Sequence, residues 1–199
     1  PDRTVVGLFP GSRRSELNFM LKTLVETAQS LNQSLESPLF LVPVADTLDP
    51  AELSSRFGDQ LSVRFVREDI YTVAASCDVV VTVSGTVTLQ TALVGTPMVI
   101  LYKMAPLTYA IGKRLVKVDN IGLANIVAGR RVVRELIQDE GTPENLAGEV
   151  LRILDDAAYR QAIRDGLTGV RDRLGEPGCS GRVAEMLLKM LQFGQQEQV

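Results

Sequence analysis

Short unbroken apolar runs alternate along this chain with stretches whose apolar residues recur every three to four positions. The runs are Thr4–Phe9, Leu39–Val42, Leu61–Val66, Asp78–Val83 and Met98–Tyr102. All but the third have Pro or Ser next to at least one end, and each reads as a strand. After the first run, Leu17, Leu21, Leu24, Val25, Ala28 and Leu31 mark one face of a helix over Ser15–Ser34. Asp49-Pro50-Ala51-Glu52 is a helix start, with Asp as cap, Pro in the first turn and Glu three residues on. Gly58 ends that helix. Further helices are predicted over Asp69–Ser76, 86–94 and 107–117, and a loop over Ile121–Gly129. From there the pattern is helical without a clear strand: 143–155, 157–171 and Ser180–Phe193, with Glu176-Pro177-Gly178 as a break.

Apart from Leu61–Val66, which Ser62 and Arg64 interrupt, the strand candidates are apolar runs instead of alternating patterns, which a parallel sheet covered on both faces requires. With strands and helices alternating as far as residue 102, the expected architecture is α/β, a doubly wound parallel sheet. Residues 1–155 would form a Rossmann-like domain, and 156–199 would add C-terminal helices. Ligands of such sheets sit beyond the carboxyl ends of the strands.

Composition narrows the function. Lys and Arg number 21 against 24 Asp and Glu, a formal charge of −3, which speaks against a general nucleic-acid binder. With no histidine, a histidine triad and histidine metal ligands are excluded. Cys77 and Cys179 lie far apart and form no CxxC pair, the pattern of a reduced protein, with a single disulfide between them as the alternative. Residues 79–102 carry no charge, but Gly85, Gln90, Gly95 and Pro97 break them into strand, helix and strand, so they are not read as a membrane span. Asp2-Arg3 leads straight into an apolar strand, and the expectation is a piece of a longer protein.

Two glycine-bearing turns follow strand ends: Pro10-Gly11-Ser12-Arg13 and Ser84-Gly85-Thr86. At the start of a helix, such a turn offers free backbone N–H groups and the positive end of the helix dipole to a phosphate. It is equally an ordinary capped turn. Neither matches GxGxxG or a P-loop. Gln90 lies one helical turn beyond Thr86, placed either to bond a sugar hydroxyl or to face solvent. Lys113, Arg114 and Lys117 complement a helix end or form an anionic-surface patch, which Arg130, Arg131 and Arg134 extend. Asn125, in a glycine-bounded loop, either satisfies local backbone or presents its amide to a ligand.

Taken together, FPGSR at 9–13, SGTVTLQTALVGTPMVILYK at 84–103, KRLVKVDNIGLANIVAGR at 113–130 and ELIQDEGTPENLA at 135–147 resemble the lipid-A-disaccharide synthase family, in the family's order and spacing. The resemblance covers residues 4–155 and extends to the terminal helices, and it implies the carboxyl-terminal half of a GT-B glycosyltransferase. That half holds the UDP-sugar donor, and the missing amino-terminal half holds the acceptor. The implied reaction transfers 2,3-diacylglucosamine from UDP to 2,3-diacylglucosamine 1-phosphate, with inversion and without a metal or other cofactor.

Carried onto this chain, the resemblance implies that Gly11, Ser12 and Arg13 meet the diphosphate, with Arg13 stabilising the departing UDP. Ser84, Gly85 and Thr86 would hold phosphate at the helix start, and Gln90 the ribose. Tyr102 would line the nucleotide pocket, with Asn125 and Gln138 close to the site. The family often has an acidic residue where this chain has Gln90, which weakens the ribose contact, because an amide accepts through one oxygen only. The base that deprotonates the acceptor is implied in the other half, so the isolated chain is expected to bind UDP without turnover. The resemblance further implies a cytoplasmic enzyme, peripheral to the inner membrane. The last helix would pack on the missing domain and leave Leu187, Leu188 and Leu191 partly exposed in this chain. Other GT-B UDP-sugar enzymes (a peptidoglycan transferase or a UDP-sugar 2-epimerase) and a non-enzymatic nucleotide-binding module are the competing readings.

Overall fold

Six strands form one parallel sheet in the computed structural model, which describes residues 3–12, 14–105, 109 and 120–196. They are β1 (Val5–Phe9), β2 (Leu39–Pro43), β3 (Val63–Val66), β4 (Val79–Val83), β5 (Met98–Tyr102) and β6 (Arg134–Ile137), in the order β3-β2-β1-β4-β5-β6. Every neighbouring pair is parallel. All five residues of β4 are buried, as expected where helices cover both faces.

The helices between them follow local signals. In α1 (Arg14–Ser34), the residues Met20, Leu24, Ala28 and Leu31 face the core and are buried. Helix α2 (Pro50–Phe57) starts with the Asp49 carboxylate accepting the Ala51 N–H, and α3 (Ile70–Ala75) with Asp69 accepting the Thr72 N–H. Helix α4 (Thr86–Leu93) and α5 (Leu123–Ala128) precede β6; α6 (Pro143–Asp155), α7 (Ala157–Leu174) and α8 (Cys179–Gln196) follow it. Thr142 caps α6 and Asp156 caps α7. Helix α6 packs on α1, and α7 packs on α4, α5 and α6. Ile163, Leu167 and Val170 of α7 join the core that the sheet builds, each fully buried apolar side chain contributing about 1.5–3 kcal/mol.

The chain runs from β1 outward to β2 and β3, then returns to place β4, β5 and β6 on the other side. That reversal opens a crevice between β1 and β4, the usual ligand position in a doubly wound sheet. Phe9 pairs with Thr82, so the two strands end level with each other.

Two sequence expectations are corrected. Residues 121–129 are not wholly loop: Leu123–Ala128 is helical, closed by Gly129 at φ 66, a left-handed stop that a glycine supplies without strain. The C-terminal part is not purely helical, because β6 pairs with β5 along the sheet edge. Two charged residues, Arg134 and Glu135, break the apolar run there. Arg134 is satisfied by Glu149 at 3.0 Å, and Glu135 by backbone N–H groups. Apart from Tyr109, whose N–H donates to the Ala105 carbonyl at 3.0 Å, the predicted helix 107–117, with Lys113, Arg114 and Lys117, lies outside the described residues, as does Arg13. Residues 79–102 are strand, helix and strand, and no described helix is long and apolar enough to cross a membrane.

Candidate nucleotide site

Each strand flanking the crevice ends in a turn that redirects the backbone sharply. After β1, Gly11 adopts φ 89, and the Ser12 carbonyl accepts a 2.8 Å hydrogen bond from the Thr47 hydroxyl. After β4, Gly85 adopts φ 156 and ψ −168, a conformation open essentially to glycine alone. A Cβ at Gly85 would meet nothing within 4 Å, so the backbone angle, and not crowding, selects glycine.

Gly85 is also the N-cap of α4. Helices α2, α3, α6 and α7 each begin with a side chain accepting one of their first N–H groups, and α4 has none. Thr88 N–H turns back onto the Gly85 carbonyl at 3.1 Å, so the N–H groups of Thr86 and Val87 and the positive end of the dipole are left for an external acceptor. The hydroxyls beside them are differently committed. Ser84 Oγ donates to the Ile121 carbonyl at 3.1 Å, which fixes its rotor and leaves its lone pairs. The Thr86 side chain is exposed at the helix start.

The two turns open into one cleft of about 370 Å³. Gly11 and Ser12 line it from the first turn; Ser84, Gly85 and Thr86 from the second. Gln90, half-buried one turn into α4, reaches the same space. The opposite wall comes from Pro43, which ends β2, from Val44 and Ala45 just beyond it, and from Glu68 and Ile70 where β3 leads into α3. Among the described lining residues Glu68 is the one ionised group. Such a cleft offers anion-binding N–H groups at one end, apolar and backbone surface at the other, and amide and carboxylate acceptors between. It has the parts for a nucleoside phosphate. No cluster of acidic or sulfur ligands suited to a metal occurs among the described residues.

Six expected site residues thus meet in one cleft: Gly11, Ser12, Ser84, Gly85, Thr86 and Gln90. Three others do not line it. Tyr102 ends β5, one strand further from the crevice than β4. Gln138 turns its amide onto the Met104 backbone, accepting from its N–H at 2.9 Å and donating to its carbonyl at 3.1 Å. Asn125 is fully buried. Its Nδ2 donates to the Val133 carbonyl (2.8 Å) and Glu135 Oε1 (2.7 Å), and its Oδ1 accepts from the N–H groups of Val132 (2.7 Å) and Val133 (3.0 Å). With every polar atom used, it has none left for a ligand.

Glu68 and the Pro43–Ala45 edge were missed in the sequence. The signal for them was available, because residues just beyond the carboxyl ends of β2 and β3 belong to the same rim. Among the described residues, the acid–base groups pushed furthest from their ordinary range lie elsewhere. Burial and neighbouring Asp78 push the Cys77 thiol up to about 12, and burial with the Glu149 hydrogen bond pushes the Tyr159 phenol up to about 12.

A family model described as lipid-A-disaccharide synthetase matches residues 1–181. The lipid-A-disaccharide synthase of Trichlorobacter lovleyi is 51% identical over 191 residues, covering 96% of this chain and 50% of that protein. The enzyme of the same name from Geobacter sulfurreducens is 48% identical over 192 residues, with the same coverage. The chain spans about half the length of these curated relatives. Among solved structures, the calicheamicin glycosyltransferase CalG4 superposes with a TM-score of 0.61 at 19% identity, over 96% of this chain and 43% of that one. The UDP-GlcNAc 2-epimerase of Neisseria meningitidis, bound to UDP-GlcNAc, gives 0.60 at 13% identity, over 94% and 45%. At such identities these two comparisons establish a shared fold.

Proposed function

Because the chain belongs to the lipid-A-disaccharide synthetase family, we propose that its cleft binds the UDP portion of a diacylglucosamine donor. The protein would be an inverting glycosyltransferase that joins 2,3-diacylglucosamine to 2,3-diacylglucosamine 1-phosphate. The observation that most supports the donor assignment is the meeting of two glycine turns at the β1/β4 switch point, one of them opening a helix without a side-chain cap.

In this reading the pyrophosphate lies across Gly11-Ser12 and Ser84-Gly85-Thr86. The acceptor hydroxyl attacks the anomeric carbon, the bond from that carbon to the diphosphate oxygen breaks, and UDP leaves carrying the electron pair. The α4 N–H groups, with Arg13 as a charge-assisted donor, stabilise the charge that grows on UDP. Gln90 accepts from a ribose hydroxyl. The proton lost by the acceptor goes to a base on the acceptor-binding half, so this chain alone binds without turnover. With acylated substrates, the enzyme works at the inner membrane from the cytoplasmic side. The apolar face of α8, with Val183, Met186, Leu187 and Met190 exposed at helical spacing, is then the surface that packs on the acceptor half.

Calorimetric titration of the 199-residue chain tests the donor assignment. UDP is expected to bind tighter than UMP, and roughly tenfold or more tighter than uridine, because charge-assisted contacts to the second phosphate add to the first. Equal affinity for all three, or none for UDP, would count against it.

A further inference from the structure

The residue that aims the phosphate turn sits two strands away from it. We propose that Glu135, on β6, is a positioning residue for the Ser84-Gly85-Thr86 turn; the inference rests on the UDP assignment above.

Glu135 is buried, yet it belongs to no ion pair among the described residues. Its carboxylate is satisfied by three N–H donors instead: Oε2 accepts from Ile121 N at 2.8 Å, and Oε1 from Gly122 N at 3.0 Å and Asn125 Nδ2 at 2.7 Å. A buried carboxylate survives only with such full hydrogen bonding. Ile121 is also the residue whose carbonyl accepts the Ser84 hydroxyl. The peptide segment that Glu135 grips by its N–H groups is therefore the segment that holds the first residue of the phosphate turn.

The bridge from β6 to β4 must cross β5, and it does so closely. A Cβ on Gly122 would come within 2.3 Å of Ile100 Cδ1 on β5 and 3.1 Å of Glu135 Oε1. Gly122 thus lets the backbone lie flat between the β5 side chain and the carboxylate. Asn125, with its amide closed on Glu135 and on Val132-Val133, holds the carboxylate at this angle. The chain of contacts runs Asn125, Glu135, Ile121, Ser84, with each link between 2.7 and 3.1 Å.

Glu135→Gln separates positioning from packing. One oxygen remains for Gly122 and Asn125, but the new amide N–H faces the Ile121 N–H, donor against donor, and that bond is lost. In the ligand-free protein, the amide resonances of Ser84, Gly85 and Thr86 are expected to move in E135Q. On titration, UDP binding weakens about tenfold while uridine binding stays the same, because the phosphate turn and not the nucleoside wall has shifted. Ser84→Ala cuts the same chain at its other end and should reproduce the selective loss. The double variant should be no worse than S84A alone, since the connection that E135Q breaks is already cut there.

Three results would overturn the proposal: unchanged 84–86 resonances in E135Q, parallel losses for UDP and uridine, or additive losses in the double variant. Any of them reduces Glu135 to a helix cap for α5. If E135Q does not fold, Glu135→Asp, which keeps the charge but withdraws the carboxylate by one methylene, takes its place with the same readouts. A wild-type chain that fails to bind UDP refutes the donor assignment instead, and the ligand-free resonances still test the coupling.

Discussion

Asn125→Ala is expected to lower the unfolding free energy by about 3–5 kcal/mol, among the largest effects a single polar truncation produces. The reason is the number of partners left behind. Four hydrogen bonds converge on this fully buried amide, and alanine strands the N–H groups of Val132 and Val133, the Val133 carbonyl and one acceptor site of Glu135. Each buried orphan costs roughly 1–3 kcal/mol, and partial relaxation keeps the sum below four independent losses. Against a typical total of about 5–15 kcal/mol, that is a large share. Urea unfolding followed by circular dichroism measures it. Asn125→Asp is a sharper control. It keeps the shape and the acceptor for Val132 and Val133, but turns the donor facing Glu135 Oε1 into a second oxygen. It should be no more stable than N125A; recovery of wild-type stability would mean that this network is not what holds the β6 lead-in.

Gly85→Val is expected to weaken UDP binding roughly ten- to a hundredfold, because holding a side chain at this backbone angle costs about 1–3 kcal/mol. At φ 156 and ψ −168 the turn relaxes toward angles valine tolerates, and the α4 N–H groups swing away from the phosphate position. The added Cβ meets no protein atom within 4 Å, and Gly85→Ala, which has no atoms beyond Cβ to reach into the cleft, should show most of the same loss if the backbone is the cause. Calorimetry measures the affinity, and thermal unfolding checks that the sheet is intact. Thr86→Ala, which leaves the backbone alone, should cost less. If G85V bound UDP as tightly as wild type, the uncapped helix start would not be the phosphate site.

These two positions illustrate what the sequence made legible. Gly85 was readable because the pattern around it is local: an apolar run, a glycine between small hydroxyl residues, then a helix. Its pairing with Gly11 followed from topology, since β1 and β4 flank the reversal in a doubly wound sheet. Asn125 was ambiguous for a physical reason. An amide between apolar neighbours looks alike whether it turns to a ligand or to backbone seven or eight residues away. Strand β6 was hidden because Arg134 and Glu135 interrupt its hydrophobic run: Arg134 stays exposed and pairs with Glu149, and the burial of Glu135 depends on the Ile121–Gly122 backbone. Tyr102 was expected in the pocket from resemblance, and strand order moves it one strand away. The Gln138–Met104 clamp depends on a residue at φ 51, an angle no propensity predicts for glutamine.

The most direct test of the account is an amide-resolved NMR titration of the 199-residue chain with UDP. The largest shifts should fall on Gly11, Ser12, Ser84, Gly85, Thr86 and Gln90, with Tyr102 and Gln138 little changed. Shifts at saturation that bypass both glycine turns, and cluster instead in the groove between α1 and α2, would contradict it.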